Sequence, residues 1–107
     1  MHQHVTITTT TGDHSVAEQI AADLVDRRLV ACAQIGGPIR SVYRWEGTVE
    51  FTEEIVLHLK TTAEQVDAVK QVIAKLHPYD VPEVIVTPII DGSAEYLKWI
   101  DDQTRPA

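Results

Sequence analysis

The apolar positions of the chain change spacing several times, and each change marks a new predicted element. Residues 4–10 read HVTITTT, a β-branched run with apolar residues two positions apart, which predicts a strand. Ser15 and Glu18 then have the spacing of a capping box, and apolar residues recur at helical intervals as far as about residue 28. The first part of the chain therefore predicts a strand followed by a helix.

The middle of the chain predicts a long hairpin. Residues 29–35 (LVACAQI) suit a strand buried on both faces, and residues 39–45 (IRSVYRW) can continue the same strand if the intervening GGP forms a bulge or bend. Glu46-Gly47 supplies a turn, and residues 49–60 return as a second strand. Glu53 interrupts the alternation of this strand, so either that end leaves the core or another surface covers it.

The last third repeats the order of helix and strand. Thr61 and Glu64 have capping-box spacing ahead of a helical apolar stripe that Pro78 ends. Residues 84–90 (VIVTPII) predict an edge strand, and Ser93 is the predicted N-cap of a short final helix. The order strand, helix, strand, strand, helix, strand, short helix predicts an α+β, ferredoxin-like fold with both main helices on one face of an antiparallel sheet.

The length of the hairpin predicts self-association. A chain of 107 residues suits a single domain, spanning residues 1–107, with a diameter of roughly 35 Å. A strand covering residues 48–60 would span about 40 Å and so overhang the core. The overhanging end carries Tyr43, Trp45, Val49 and Phe51, apolar surface that a neighbouring copy would bury. We therefore expect a homo-oligomer built through strand edges.

Composition narrows the classes of function. The chain is 44% hydrophobic and 23% charged, with no apolar run long enough for a membrane span, and its first residues lack a secretory pattern, so we expect a cytoplasmic protein without a membrane partner. The net charge of −7 argues against nucleic acid as a partner. Cys32 lies in an apolar run and is expected to be a small buried hydrophobe.

Four segments carry a family resemblance: LVACAQI, IRSVYRWEGTVE, LHLKTT and LHPYDVPEVIVTPIIDGSAEYLKWI. In this order and at these separations they resemble the CutA family of divalent-cation tolerance proteins, over residues 5–100. The resemblance implies a cytoplasmic, ferredoxin-like protein that forms a tight homotrimer through the long hairpin and is similar in architecture to PII-type nitrogen-signalling proteins. It also implies a link to tolerance of copper and other divalent metals and to copper binding, with no metal required for folding.

The heptapeptide HPYDVPE, residues 77–83, contains the predicted metal ligands. His77 can ligate copper or zinc, and Asp80 and Glu83 could complete a mixed nitrogen and oxygen set. Alternatively, His77 serves the end of the second helix by interacting with its last carbonyls. In some members of the family the copper site resembles a first-strand cysteine plus a His-His pair. The matching positions here are Thr9, or a neighbouring threonine if the register slips, and Leu76, so only His77 carries over.

Other side chains predict a ligand cleft rather than catalysis. No catalytic constellation is recognisable, since Ser15 and Ser93 read as helix caps, and we expect no enzyme activity. His2 and His4 could chelate copper weakly at the start of the chain. Lys60, next to a helix start, could attract a small anion. By resemblance, a cleft near a subunit boundary would be lined by Arg44, Trp45, Lys60, Tyr79, Glu83, Tyr96 and Trp99.

Three functions remain open on this basis. The leading interpretation is a non-enzymatic homotrimer that binds divalent metal, copper first, in tolerance or homeostasis. The alternative is a PII-like signalling module that binds a small ligand at the inter-subunit cleft and reports it to a partner protein. In the third, the trimer anchors another protein, and the aromatic residues of the cleft serve only to pack its subunit interface.

Overall fold

The computed structural model describes residues 3–106, which form one four-stranded sheet and three α-helices. The strands are β1 (His4–Thr11), β2 (Cys32–Trp45), β3 (Thr48–Thr62) and β4 (Ile85–Pro88). The helices are α1 (His14–Asp26), α2 (Val66–Leu76) and α3 (Ala94–Gln103), and a 3₁₀ turn (Ala63–Gln65) precedes α2. The spatial order is β2-β3-β1-β4 with every neighbouring pair antiparallel, which confirms the ferredoxin-like α+β fold.

The core lies between one face of the sheet and the helices α1 and α2. Its fully buried side chains alternate along the strands and recur at helical spacing along the helices, as the sequence predicts. They include Ile7, Leu57 and Leu59 from the sheet, Ile20 and Leu24 from α1, and Val69 and Ile73 from α2.

Helix α3 packs on the opposite face of the sheet. Val5 belongs to the core, so its neighbour His4 points to the other face, where its Nε2 lies 2.9 Å from Asp101 Oδ1 of α3. Ile100 is fully buried and anchors the helix. Among residues 3–106, no helix is both long and apolar enough to cross a membrane.

Two of the predicted helix caps are wrong, and one is confirmed. Asp13, not Ser15, caps α1: its Oδ1 accepts hydrogen bonds from the Ser15 amide at 2.8 Å and the Ser15 hydroxyl at 2.7 Å. Thr61 does not cap α2, because β3 continues past it and its hydroxyl donates to the Leu29 carbonyl at 2.7 Å. Ser93 does cap α3, accepting from the Tyr96 amide.

The long hairpin overhangs the rest of the sheet, as predicted. The pairing of β2 with β3 shifts register between Gly36 and Ile39, so the GGP step is a bulge within one continuous strand. β1 ends its pairing with β3 at Thr11 opposite Ile55, which leaves the first half of β3 bonded to β2 alone. The molecule is accordingly 45 Å along its longest axis and only 26 and 22 Å along the others. We call residues 39–54 the hairpin arm.

Candidate ligand cleft

A cleft of about 840 Å³ separates the hairpin arm from residues 77–84, the segment between α2 and β4 that we call the corner segment. The overhang creates this cleft, because β1 ends at Thr11 and β4, its neighbour in the sheet, starts only at Ile85. Among residues 3–106, no strand covers this side of the arm. The cleft is lined by Thr10, Ser41, Val42, Tyr43, Trp45, Thr52, Glu54, Pro78, Tyr79, Asp80, Val81 and Glu83.

His77 lies behind the cleft wall with both ring nitrogens engaged. Its side chain is 7% exposed, and Nε2 lies 2.6 Å from the Thr10 carbonyl oxygen. Nδ1 accepts the Tyr79 amide N–H at 3.2 Å, which makes Nε2 the protonated nitrogen of a neutral ring that donates to Thr10. The imidazole thus ties the end of α2 to the end of β1, and it can ligate a metal only by giving up one of these bonds.

Tyr79 joins the corner segment to the hairpin arm. Its hydroxyl donates to Glu54 Oε2 at 3.4 Å and packs so close to the β1–α1 turn that a Cβ on Gly12 would lie 2.9 Å from it. Burial raises the pKa of the Tyr79 phenol, and the negative charge of Glu54 raises it further, so the hydroxyl keeps its proton for this bond. The ring also meets His77 edge-on, with centroids 4.6 Å apart.

The predicted metal ligands do not form a closed group. Asp80 and Glu83 are exposed on the rim of the cleft, whereas His77 faces away from it. Within residues 3–106, no three side chains of His, Cys, Asp or Glu converge as a group that could hold a metal ion. Metal binding by these three residues stays a prediction. Thr9, which the resemblance matches to the family's cysteine, is fully buried with its hydroxyl unpartnered.

The predicted cleft residues separate into two sets. Trp45, Tyr79 and Glu83 do line the cleft. Arg44 donates to the Gly47 carbonyl at the hairpin turn, and Lys60 donates to Gln34 at 2.7 Å rather than serving a helix start.

Two further predictions concern α3 and the chain start. Tyr96 and Trp99 stack on each other along α3, with centroids 5.5 Å apart, and do not reach the cleft of the same chain. His4 is held in β1 and bonded to Asp101, so it could chelate copper only by giving up this contact. Copper chelation at the chain start stays a prediction, and His2 lies outside the described residues.

Sequence reasoning missed the most buried carboxylate of the cleft. Glu54 is only 8% exposed, while its neighbour Glu53 is exposed on the other side of β3. Because neighbouring strand residues point to opposite faces, the two cannot share a site. Val49, Phe51 and Glu53 are all exposed, so the interrupted alternation at Glu53 marks the point where this end of β3 leaves the core. It gave no signal for Glu54, which Tyr79 contacts on the other face.

The fold and this cleft define a small ferredoxin-like protein with an overhanging hairpin and a cleft lined by acidic side chains. The sequence model of the family described as CutA1 divalent ion tolerance protein matches residues 5–103, and the chain belongs to this family. The divalent-cation tolerance protein CutA of Thermus thermophilus is 41% identical over 95 residues, which are 89% of this chain and 92% of the relative.

Two further comparisons agree. The chloroplastic protein CutA 1 of Oryza sativa is 36% identical over 94% of this chain, which spans 57% of that relative. The crystal structure of the stable protein CutA1 from the psychrotrophic bacterium Shewanella sp. SIB1 superimposes with a TM-score of 0.95 at 37% identity, covering 98% of both chains. Residence in the cytoplasm stays a prediction.

Proposed function

We propose that this chain serves in tolerance to divalent cations, copper first, by binding the ion without catalysing a reaction. The observation that carries the proposal is the charge of the cleft. Among residues 3–106, its lining contains the carboxylates of Glu54, Asp80 and Glu83 and no Lys or Arg, in a chain of net charge −7. Such a surface attracts cations and repels anions.

The exposed pair Asp80 and Glu83 supplies the first contacts in this proposal, with water completing the coordination. His77 would join as a ligand after releasing the Thr10 carbonyl or the Tyr79 amide. A site of this kind binds weakly and lacks the thiolate that favours copper(I).

Isothermal titration with copper(II) and zinc tests the proposal. We expect saturable binding that is lost in the double variant Asp80→Asn/Glu83→Gln and retained in His2→Ala, which removes a histidine from the chain start. Loss of binding in a folded His77→Ala variant would identify the imidazole as a ligand. Binding no tighter than about millimolar, roughly −4 kcal/mol, would contradict the proposal.

We also propose that the working form is a cytoplasmic homotrimer. The outer face of the hairpin arm carries Val49 and Phe51, which are 48% and 64% exposed, and Val42, which is 59% exposed, also borders the cleft. Phe51 pairs directly with Val42 across the strands, so they form one apolar patch of the kind that marks a protein interface. Light scattering should give three times the chain mass for the wild type and a smaller species for Phe51→Glu; a stable wild-type monomer at micromolar concentration would refute this.

A second candidate function is small-ligand binding with a signalling role, as in PII-type proteins. The observation that favours it is the cleft itself, whose volume of about 840 Å³ lies within the roughly 300–1,000 Å³ of ligand pockets. Tyr43, Trp45 and Tyr79 give it aromatic walls. A ligand that binds the native state must raise the melting temperature, so a thermal-shift screen of small molecules tests this function.

A further inference from the structure

The chemistry of the cleft specifies more than a generic small ligand. All the charged side chains in its lining, within the described chain, are carboxylates: Glu54, Asp80 and Glu83. Glu54 is 8% exposed and receives one hydrogen bond, from the Tyr79 hydroxyl at 3.4 Å. A nearly buried carboxylate with so little local compensation favours a positively charged partner.

The carboxylates are spread around the cleft rather than gathered at one point. No three of the described acidic, His or Cys side chains form a group that could hold a metal ion, and Asp80 and Glu83 lie on the exposed corner segment while Glu54 lies on β3. A ligand with two separated positive charges can therefore pair with carboxylates on both sides of the cleft.

Aromatic side chains line the same cleft as these charges. Tyr43 and Trp45 lie on the arm, and Tyr79 lies on the corner segment. Ring faces attract ammonium groups within about 6 Å and pack against methylene groups. Aromatic walls with separated carboxylates match a flexible aliphatic chain that carries a positive charge at each end.

We propose that the cleft binds an organic cation, an aliphatic amine with two or more ammonium groups, which pair with Glu54 on one side and with Asp80 or Glu83 on the other. The methylene chain lies against the rings of Trp45 and Tyr79. This inference rests on the small-ligand function proposed above and names the chemical class of its ligand.

A matched pair of probes isolates the charge. Butane-1,4-diamine and butane-1,4-diol have similar size and flexibility, but only the diamine is charged at pH 7. The variant Trp99→Phe leaves Trp45 as the single tryptophan of a chain that has two, so its fluorescence reports on the cleft. We expect a saturable change in Trp45 fluorescence with the diamine and binding at least about tenfold weaker with the diol.

Charge variants on this reporter background locate the site. Glu54→Gln should weaken diamine binding by about fivefold to tenfold, as expected for the loss of a charge-assisted hydrogen bond. If Glu54→Gln impairs folding, the double variant Asp80→Asn/Glu83→Gln, at two exposed positions, should weaken diamine binding in the same way. Glu95→Gln, on exposed α3, carries the same charge change away from the cleft and should stay within about twofold of the parent.

The possible outcomes separate this inference from the functions on which it builds. Equal binding of diamine and diol would overturn the organic-cation class and leave small-ligand binding intact. Equal weakening by Glu54→Gln and Glu95→Gln would mean general attraction to an acidic surface, and would overturn the site. Absence of binding by either probe would count against both the inference and the small-ligand function, whereas the copper titration decides the metal function independently.

Discussion

Replacing His77 by alanine tests the structural role that its geometry assigns. The change removes the donor to the Thr10 carbonyl, at 2.6 Å, and the acceptor of the Tyr79 amide, at 3.2 Å. Thr10 is 6% exposed, so its carbonyl loses a partner in a site that water reaches poorly, whereas the backbone of the more exposed Tyr79 can rebond to water.

The expected loss follows from these two environments. A buried acceptor left without a partner costs about 1–3 kcal/mol, and the hydrogen bond of the Tyr79 amide, which water can replace, contributes about 0.5–1 kcal/mol. With the lost packing of the ring, His77→Ala should lower the free energy of unfolding by about 2–4 kcal/mol. His58→Ala is the control, because His58 is exposed and makes one 3.3 Å contact with Thr8; its effect should stay below about 0.5 kcal/mol.

Urea denaturation followed by circular dichroism, at one fixed protein concentration, measures the difference. With a slope near 2 kcal/mol/M, typical of small proteins, the midpoint of His77→Ala should fall by about 1–2 M. A midpoint within about 0.25 M of the wild type would refute the structural reasoning. A variant of normal stability that has lost copper binding would show that His77 is kept for the metal.

Two further predictions concern a buried hydroxyl and a helix cap. Thr9→Val removes a fully buried hydroxyl that has no partner, at nearly constant side-chain volume. The free energy of unfolding should therefore rise by about 1 kcal/mol, and the urea midpoint should rise with it. A lower midpoint would show that the hydroxyl has a hydrogen-bond partner in solution. The pKa of Asp13 lies below its usual value because the Ser15 hydroxyl and amide bond to its carboxylate, so Asp13 stabilises the fold above about pH 4 and this contribution is lost as the pH falls through the lowered pKa. Asp13→Ala should therefore lower the midpoint at pH 7 more than at pH 2.5, and an equal loss at both values would contradict this.

The sequence predicts the fold well because burial alone decides its periodic positions. The apolar stripes of both main helices and the alternation along β1 and the second half of β3 need only one buried face. Two of the predicted helix caps are wrong because several neighbouring residues have side chains that could cap the helix. Asp13 and Ser15 both have side chains that suit an N-cap. The Thr61 hydroxyl donates instead to the carbonyl of Leu29, 32 residues away, and no local sequence pattern reveals such a distant partner.

The cleft was predictable only in part, for a related reason. Trp45 and Tyr79 have residue types that are common in ligand sites, so composition identifies them. Glu54 becomes a cleft residue because Tyr79, 25 positions away, contacts it, and no local pattern on β3 signals this contact. His77 could be placed at the helix end from the sequence, but its bond to Thr10, 67 positions away, depends on how β1 ends.

The two faces of the hairpin arm, which begins after the bulge at Gly36, can serve different functions. Beyond the bulge, Ser41 pairs with Thr52 on the cleft side, while Val49 and Phe51 lie on the outer side; Val42, which pairs with Phe51, also borders the cleft. A second copy that covers the outer apolar face therefore need not fill the cleft. If so, Phe51→Glu should abolish assembly without removing the carboxylates that bind the cation, and diamine binding should persist in the dissociated chain. Loss of binding together with assembly would mean that a neighbouring chain completes the cleft.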